Sequence, residues 1–101
     1  MYGTIARLKV KPGQMQAFLG AMAETIRTPP PASVAIYGYR MDADPNELYL
    51  AVVFESKEAY RANAESPETH ADYLKWSALL AAEPEWHDGE VIQAIEMESS
   101  G

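Results

Sequence analysis

The apolar residues of this chain change their period at Lys11-Pro12-Gly13, and that change restricts the fold more than any other feature. Before it, Tyr2 to Val10 alternates. Thr4, Ala6, Leu8 and Val10 share one side, and Ile5, Arg7 and Lys9 the other, as in a strand with one apolar face. After it, Met15, Phe18, Leu19, Met22 and Ile26 recur at i, i+3, i+4, i+7 and i+11, which gathers them on one face of a helix starting near Gln14. Gly20 inside this helix is about 1 kcal/mol worse than alanine, so packing has to compensate. Thr28-Pro29-Pro30-Pro31 ends the helix in a stiff, extended connection.

The rest of the chain reads in the same way. Val34 to Met41 predicts a second strand, with Ala35, Tyr37, Tyr39 and Met41 on one face and Val34, Ile36, Gly38 and Arg40 on the other. Asp42-Ala43-Asp44-Pro45-Asn46 is a turn. Leu48 to Glu55 is nearly all apolar, which predicts a central strand covered on both faces and paired with the second strand as an antiparallel hairpin. Ser56 is placed to cap a short helix over Lys57 to Ala64. Ser66-Pro67-Glu68 opens another, with a capping serine, a proline at the first helical position and an acid in the first turn. That helix is expected to run through Leu80 and stop near Pro84. Trp86-His87-Asp88-Gly89 reads as a turn, and Val91 to Met97 as the last strand.

The resulting order, β-α-β-β-α-α-β, predicts an α+β fold. Two strand–helix–strand halves form a ferredoxin-like split β-α-β sandwich, with a four-stranded antiparallel sheet and helices on one face. Residues 1–98 are expected to form a single domain and 99–101 a frayed tail. If the helices cover Leu8, Ile36, Leu50 and Phe54, the opposite face shows Ile5, Tyr37, Tyr39, Tyr49 and Val53. An apolar sheet of that size is usually an interface, so two copies are expected to pack sheet to sheet as a homodimer.

Charge narrows the partners. Fifteen acids against eight basic groups leave a net charge of −7, the wrong sign for nucleic acid or for an anionic membrane surface. Residues 1–41 hold five of the basic groups and one acid, Glu24, so a basic first half meets an acidic remainder. This bias can act between elements of one fold or between two chains, or it can simply be a solvated acidic surface. No cysteine is present, which excludes disulfide scaffolds, zinc fingers and iron–sulfur sites. No signal peptide or spanning segment is read in the chain, and the expected location is the cytoplasm.

Few groups are equipped for chemistry. The glycine-rich, P-loop, zinc-protease and nucleophile-elbow motifs are missing, and two histidines without ligand spacing predict no metal site. His70 falls in the first turn of the third helix with Tyr73, Leu74 and Ser77 on its face. The helix dipole there holds an imidazole toward neutrality, so it can act as base or hydrogen-bond partner, or be merely a surface or capping residue. Trp76 can wall an aromatic ligand or fill the core. His87 is a second candidate base, and Trp86 is expected to anchor its turn. Tyr37, Tyr39 and Tyr49 pair across strands or line a pocket.

Three segments resemble the antibiotic biosynthesis monooxygenase family, within the dimeric α+β barrel superfamily. They are Gly3 to Gly13, with its strand and Pro-Gly turn; Phe54 to Pro67, with the Phe-Glu-Ser-Lys-Glu-Ala entry into a helix and a following Ser-Pro; and the Glu83 to Glu90 turn. The resemblance covers the full chain. It implies a homodimer of ferredoxin-like protomers. Activities in such proteins include cofactor-independent oxygenation of phenolic or anthrone-type polyketides, haem degradation and quinol oxidation. The haem-degrading branch uses an asparagine on the first strand, a tryptophan in the short helix and a histidine in the third. Ala6, Asn63 and the neighbourhood of Tyr73 stand at those places, which speaks against haem degradation. The oxygenating branch uses asparagine, tryptophan, tyrosine and arginine, and Asn63, Tyr73 and Trp76 supply similar types.

The resemblance thus implies a cofactor-independent monooxygenase acting with O₂ on a small aromatic, phenolic or quinone-type molecule, needing no cofactor. The alternative is a non-catalytic dimeric barrel that binds a small hydrophobic ligand. His70 is expected as base or hydrogen-bond partner and Tyr73 as hydrogen-bond partner. Trp76, Asn63, Met22, Phe18 and Trp86 are expected around the substrate.

Overall fold

The computed structural model describes residues 1–25, 30–95 and 97. The elements run β1 (Tyr2–Lys9), α1 (Met15–Thr25), β2 (Ser33–Arg40), β3 (Glu47–Phe54), α2 (Lys57–Ala64), α3 (Pro67–Ser77) and β4 (Glu85–Glu90). The four strands form one sheet in the order β2-β3-β1-β4, and each neighbouring pair is antiparallel. This is the split β-α-β arrangement that the order of elements predicts.

The sheet's two faces follow from the alternation in β1. Thr4, Ala6 and Leu8 are buried on the helix side, while Ile5 is half exposed on the other. Ala6 faces Leu50 and Trp86 across the two ladders, and Thr4 faces Val52 and Asp88. Phe18 of α1 is fully buried over this side and meets Trp76 of α3 edge-on at 5.8 Å. Leu8, Val10, Met15, Leu48, Leu50 and Leu80 complete the core.

Local signals set the helix starts. The Ser56 hydroxyl accepts the Ala59 N–H at 3.1 Å, and the Ser66 hydroxyl accepts the Thr69 N–H at the same distance, with Pro67 in the first turn. Each cap satisfies a donor the helix cannot use itself. In the turn before β3, an Asp44 carboxylate oxygen accepts the Asn46 N–H at 2.9 Å.

Four expectations need correction. The last strand is not Val91–Met97 but β4, six residues earlier, over the segment that reads as a turn. Asp-Gly marks a turn in isolation, but an edge strand paired on one side only tolerates both residues. There Gly89 lies opposite Gly3, and Ile92, Ile95 and Met97 are left exposed. Helix α3 ends at Ser77 rather than Leu80, because the next residues pair with the end of β1: Leu80 bridges Val10, Lys11 N–H donates to the Leu79 carbonyl, and Ala81 N–H to that of Lys9. Leu19 is exposed, since the apolar stripe of α1 is wider than the surface it covers. Strand β3 is central, but Tyr49, Ala51 and Val53 on its second face are only partly covered in the single chain. Ile26, the Thr28-Pro29 half of the predicted Thr28–Pro31 break and the tail 99–101 lie outside the described residues.

The charge bias operates within the chain. Arg7 reaches Glu47 and Glu85 at 2.8 Å each. Lys9 reaches Asp44 at 3.1 Å and Glu47 at 3.6 Å. These pairs raise the pKa of both cations and hold the Asp44 and Glu85 carboxyls below their usual range. For Asp44 the larger cause is the hydrogen bond from the Asn46 backbone.

Gly3 leaves no room for a side chain. A Cβ there would run into the Val52 carbonyl oxygen and lie 2.9 Å from the carbonyl carbon. Both atoms are backbone, so no side chain can move aside. Gly3→Ala is expected to lower stability by about 3 kcal/mol, the upper part of the overpacking range, as measured by urea unfolding. Gly20→Ala, where a Cβ meets open space, is expected to raise stability by up to about 1 kcal/mol.

Candidate functional site

A cleft of about 700 Å³ opens between the helix side of the sheet and α2 and α3, inside the roughly 300–1,000 Å³ range of small-ligand sites. Its floor comes from the sheet: Thr4, Ile36, Val52, Phe54, Trp86 and Asp88. Its wall comes from the helices: Tyr60, Asn63, Thr69, His70, Tyr73 and Trp76. The lining is mainly apolar, with a few polar groups converging.

Helical spacing accounts for the wall. His70, Tyr73 and Trp76 recur every three residues along α3, so they share a face. Trp76, at the buried end, is packed by Tyr73 edge-on at 4.9 Å. It serves both readings at once, filling the core and closing the cleft. Asn63, at the end of α2, accepts a hydrogen bond from the Thr69 hydroxyl at 3.0 Å, and that hydroxyl accepts from Ser66 at 2.8 Å. With its oxygen taken, the Asn63 amide nitrogen is the end left to donate. His70 is exposed, and its imidazole has no hydrogen-bond partner among the described residues.

The cleft therefore brings together His70, Tyr73, Trp76, Asn63 and Trp86. It does not include Met22 or Phe18. Those two line a separate cleft of about 430 Å³ between α1 and the β2–β3 ladder, beside Leu19 and Arg40, with Ile36 shared between the two clefts. His87 points to the open face, opposite Ile5, because β4 alternates and sends Trp86 and Asp88 to the cleft. Among the described residues no three His, Asp or Glu side chains are grouped as a metal site.

Sequence reasoning misses Thr4, Tyr60 and Asp88. The Tyr60 hydroxyl donates to an Asp88 carboxylate oxygen at 2.7 Å, and its ring is held by Tyr2 at 5.4 Å and Phe54 at 5.8 Å. Burial, then the bond to Asp88, pushes the phenol up to about 12, while the Thr4 hydroxyl beside it pulls in the other direction. The signal that could find this group is the pairing of β4 with β1, which a turn assignment at Asp88 conceals.

A raised phenol pKa links folding to alkaline pH. The stabilisation it reflects is complete below the ordinary tyrosine value of about 10 and is lost as pH rises through the folded value. Spectroscopic titration of tyrosinate is expected to show one late step, absent in Tyr60→Phe. Asp88→Asn is expected to move that step down without abolishing the shift, because burial remains.

The family model for antibiotic biosynthesis monooxygenase matches residues 1–72. No curated protein matches the sequence. Among crystal structures, a provisionally named antibiotic biosynthesis monooxygenase from Chloroflexus aurantiacus is 22% identical, with 96% of this chain and 98% of that one aligned at a TM-score of 0.79. A mutant of SnoaB, a cofactor-independent oxygenase from Streptomyces nogalater, is 17% identical, with 95% and 97% aligned at 0.81. A further provisionally named antibiotic biosynthesis monooxygenase, from Caulobacter crescentus, is 15% identical, with 91% and 90% aligned at 0.80. These likenesses carry the fold, and the family model carries the kinship. The chain belongs to the antibiotic biosynthesis monooxygenase family.

Proposed function

We propose that this chain is a cofactor-independent monooxygenase that uses O₂ on a small aromatic substrate, phenolic or quinone-type. The observation that carries the reading is the cleft itself, an apolar volume of about 700 Å³ with an aromatic wall and His70, Tyr73 and Asn63 at its edge. Family membership and the description of SnoaB point the same way.

The chemistry asks little of the protein. A substrate O–H or activated C–H loses a proton, and the electron-rich anion passes an electron to O₂. One oxygen atom enters the ring carbon, and the other leaves as water. The substrate supplies the electrons. The protein has to orient the ring, accept or relay a proton, and keep the anion away from bulk water. His70 serves as proton acceptor or hydrogen-bond partner, Tyr73 orients the reacting oxygen, and Trp76, Asn63 and Trp86 hold the ring. Phe18 supports Trp76 from behind the cleft, and Met22, which lines the second cleft, has no part in holding the ring.

The reading includes a homodimer in the cytoplasm, with residues 1–98 as one domain. The open face bears Ile5 at 52% exposure, Tyr37 at 61% and Tyr39 at 53%, flanked by the Arg7 and Lys9 ion pairs. A second copy is the occupant that this self-similar surface suits. None of the helices in the described residues is long and apolar enough to cross a membrane.

Oxygen uptake against a panel of phenols, hydroquinones and anthrones tests the activity. His70→Ala and Tyr73→Phe are each expected to reduce turnover by about a hundredfold, as for a lost proton-transfer partner, with the fold intact by circular dichroism. Unchanged turnover in His70→Ala removes it from the mechanism. Binding without oxygen uptake by any substrate leaves a ligand-binding protein instead. For the dimer, light scattering is expected to give twice the chain mass, falling to one in Tyr37→Glu. A single-chain mass at every concentration overturns it.

A further inference from the structure

We infer that the second cleft, between α1 and the β2–β3 ladder, is a binding site for a monocarboxylate with an aliphatic tail, the carboxylate seated on Arg40 and the tail laid over Gly38. This goes beyond the proposed function, and its test is independent of the oxygen-uptake test of the first cleft.

The lining sets the character of the tail. Apart from Gly38 and Arg40, every described residue around this space of about 430 Å³ is apolar, and all but Phe18 of those are aliphatic. The first cleft, with its aromatic wall, differs in kind. The volume is again that of a small-ligand site. Leu19 and Ile36 are still 40% and 37% exposed, so apolar area is left for a ligand to cover.

Gly38 makes the room. It lies opposite Leu50 and, by alternation, between Ile36 and Arg40 on the helix side of β2. Glycine inside a strand is unfavourable, and the fold has no evident need of it here. Among the described glycines only Gly13 has a positive φ. The irregular register of the β2–β3 pair falls between Ser33 and Ala35, away from Gly38. A Cβ at Gly38 would meet nothing nearer than the movable end of the Leu50 side chain, at 3.4 Å. Gly3 is the opposite case, since backbone blocks a side chain there. With conformation, bulge and backbone contact set aside, what the missing side chain leaves is space on the cleft floor, where a ligand can approach the strand closely.

Arg40 supplies the contact for the head. It is the one charged residue in the described lining, is exposed, and has no hydrogen bond or ion pair among the described residues. Arg7 and Lys9, by contrast, are taken up by Asp44, Glu47 and Glu85. A guanidinium fork matches the two oxygens of a carboxylate. One cation balances one negative charge, which suits a carboxylate better than the roughly −1.5 to −2 of a phosphate monoester. Most of the lining falls within the basic first half of the chain, where Glu24 is the one acid, so the net negative charge of the molecule is concentrated elsewhere.

Decanoate and decanol share a tail and differ in the head. Calorimetry below their aggregation concentrations reads affinity, and ¹H–¹⁵N spectra read position. The wild-type chain is expected to bind decanoate at least about tenfold more tightly than decanol, as for a hydrogen bond to a charged group, with shifts at the Gly38 amide and the Arg40 Nε. In Arg40→Gln decanoate should fall to the affinity of decanol, with decanol unmoved. Arg61→Gln removes an exposed cation outside this cleft and should change neither. Gly38→Ala and Gly38→Val are expected to fold with an unchanged or higher Tm. Gly38→Val should weaken both ligands by about tenfold or more, because two groups cannot fill one space.

Equal affinity for decanoate and decanol overturns the carboxylate site. So does decanoate binding that survives Arg40→Gln, or that falls as far in Arg61→Gln. A lower Tm in Gly38→Ala shows that the strand itself needs the glycine and overturns its reading as ligand space. Shifts that spare Gly38 and Arg40, or no binding of decanoate at all, end the proposal and leave the first cleft's function untouched.

Discussion

Strand β1 is hydrogen-bonded along both edges, to β3 on one side and β4 on the other, and the rest of the molecule is arranged around it. Its odd and even residues divide the protein. Thr4, Ala6 and Leu8 look into the core and the cleft, while Ile5, Arg7 and Lys9 look out of the open face. One backbone thus fixes where ligand chemistry and surface chemistry are found, and a slip of one residue would exchange them. The close approach of Gly3 to Val52 and the bridge from Val10 to Leu80 hold the register at its two ends.

Much of this architecture is legible in the sequence because it depends on local rules. Ser56 and Ser66 announce their helices through the donors they cap, and the Asp44 turn announces the β2–β3 hairpin. The even side of β1 is visible as alternation alone. Three of the aromatic and polar groups on α3, His70, Tyr73 and Trp76, can be placed on one face by counting. What fails is non-local. Asp88-Gly89 is a turn by propensity and a strand by pairing, and only the partner strand decides. The same error removes Asp88 from view and with it the role of Tyr60. Phe18 and Met22 mislead for the opposite reason. Their helix face does point inward, but periodicity cannot say into which of two neighbouring clefts.

The uneven charge has a plain structural outcome. Two cations of the first half, Arg7 and Lys9, meet Asp44, Glu47 and Glu85 from the second half at one end of the open face. Exposed pairs of this kind contribute little stability. Their effect is to place polar groups at one end of an otherwise apolar surface, where they favour one orientation of whatever packs there.

Gathering those cations away from the cleft has a cost and a use for the chemistry inside it. The described lining of the cleft includes Asp72 and Asp88 and no lysine or arginine. An aromatic acid, or a phenol already ionised in solution, would meet negative charge there with no lysine or arginine of the described lining to offset it. On the function proposed above, the neutral molecule would enter more readily than its anion, and a proton would have to be removed inside the cleft by a group such as His70, against the field of the two carboxylates. The distribution of charge thus acts as a filter on protonation state, applied before any chemistry begins.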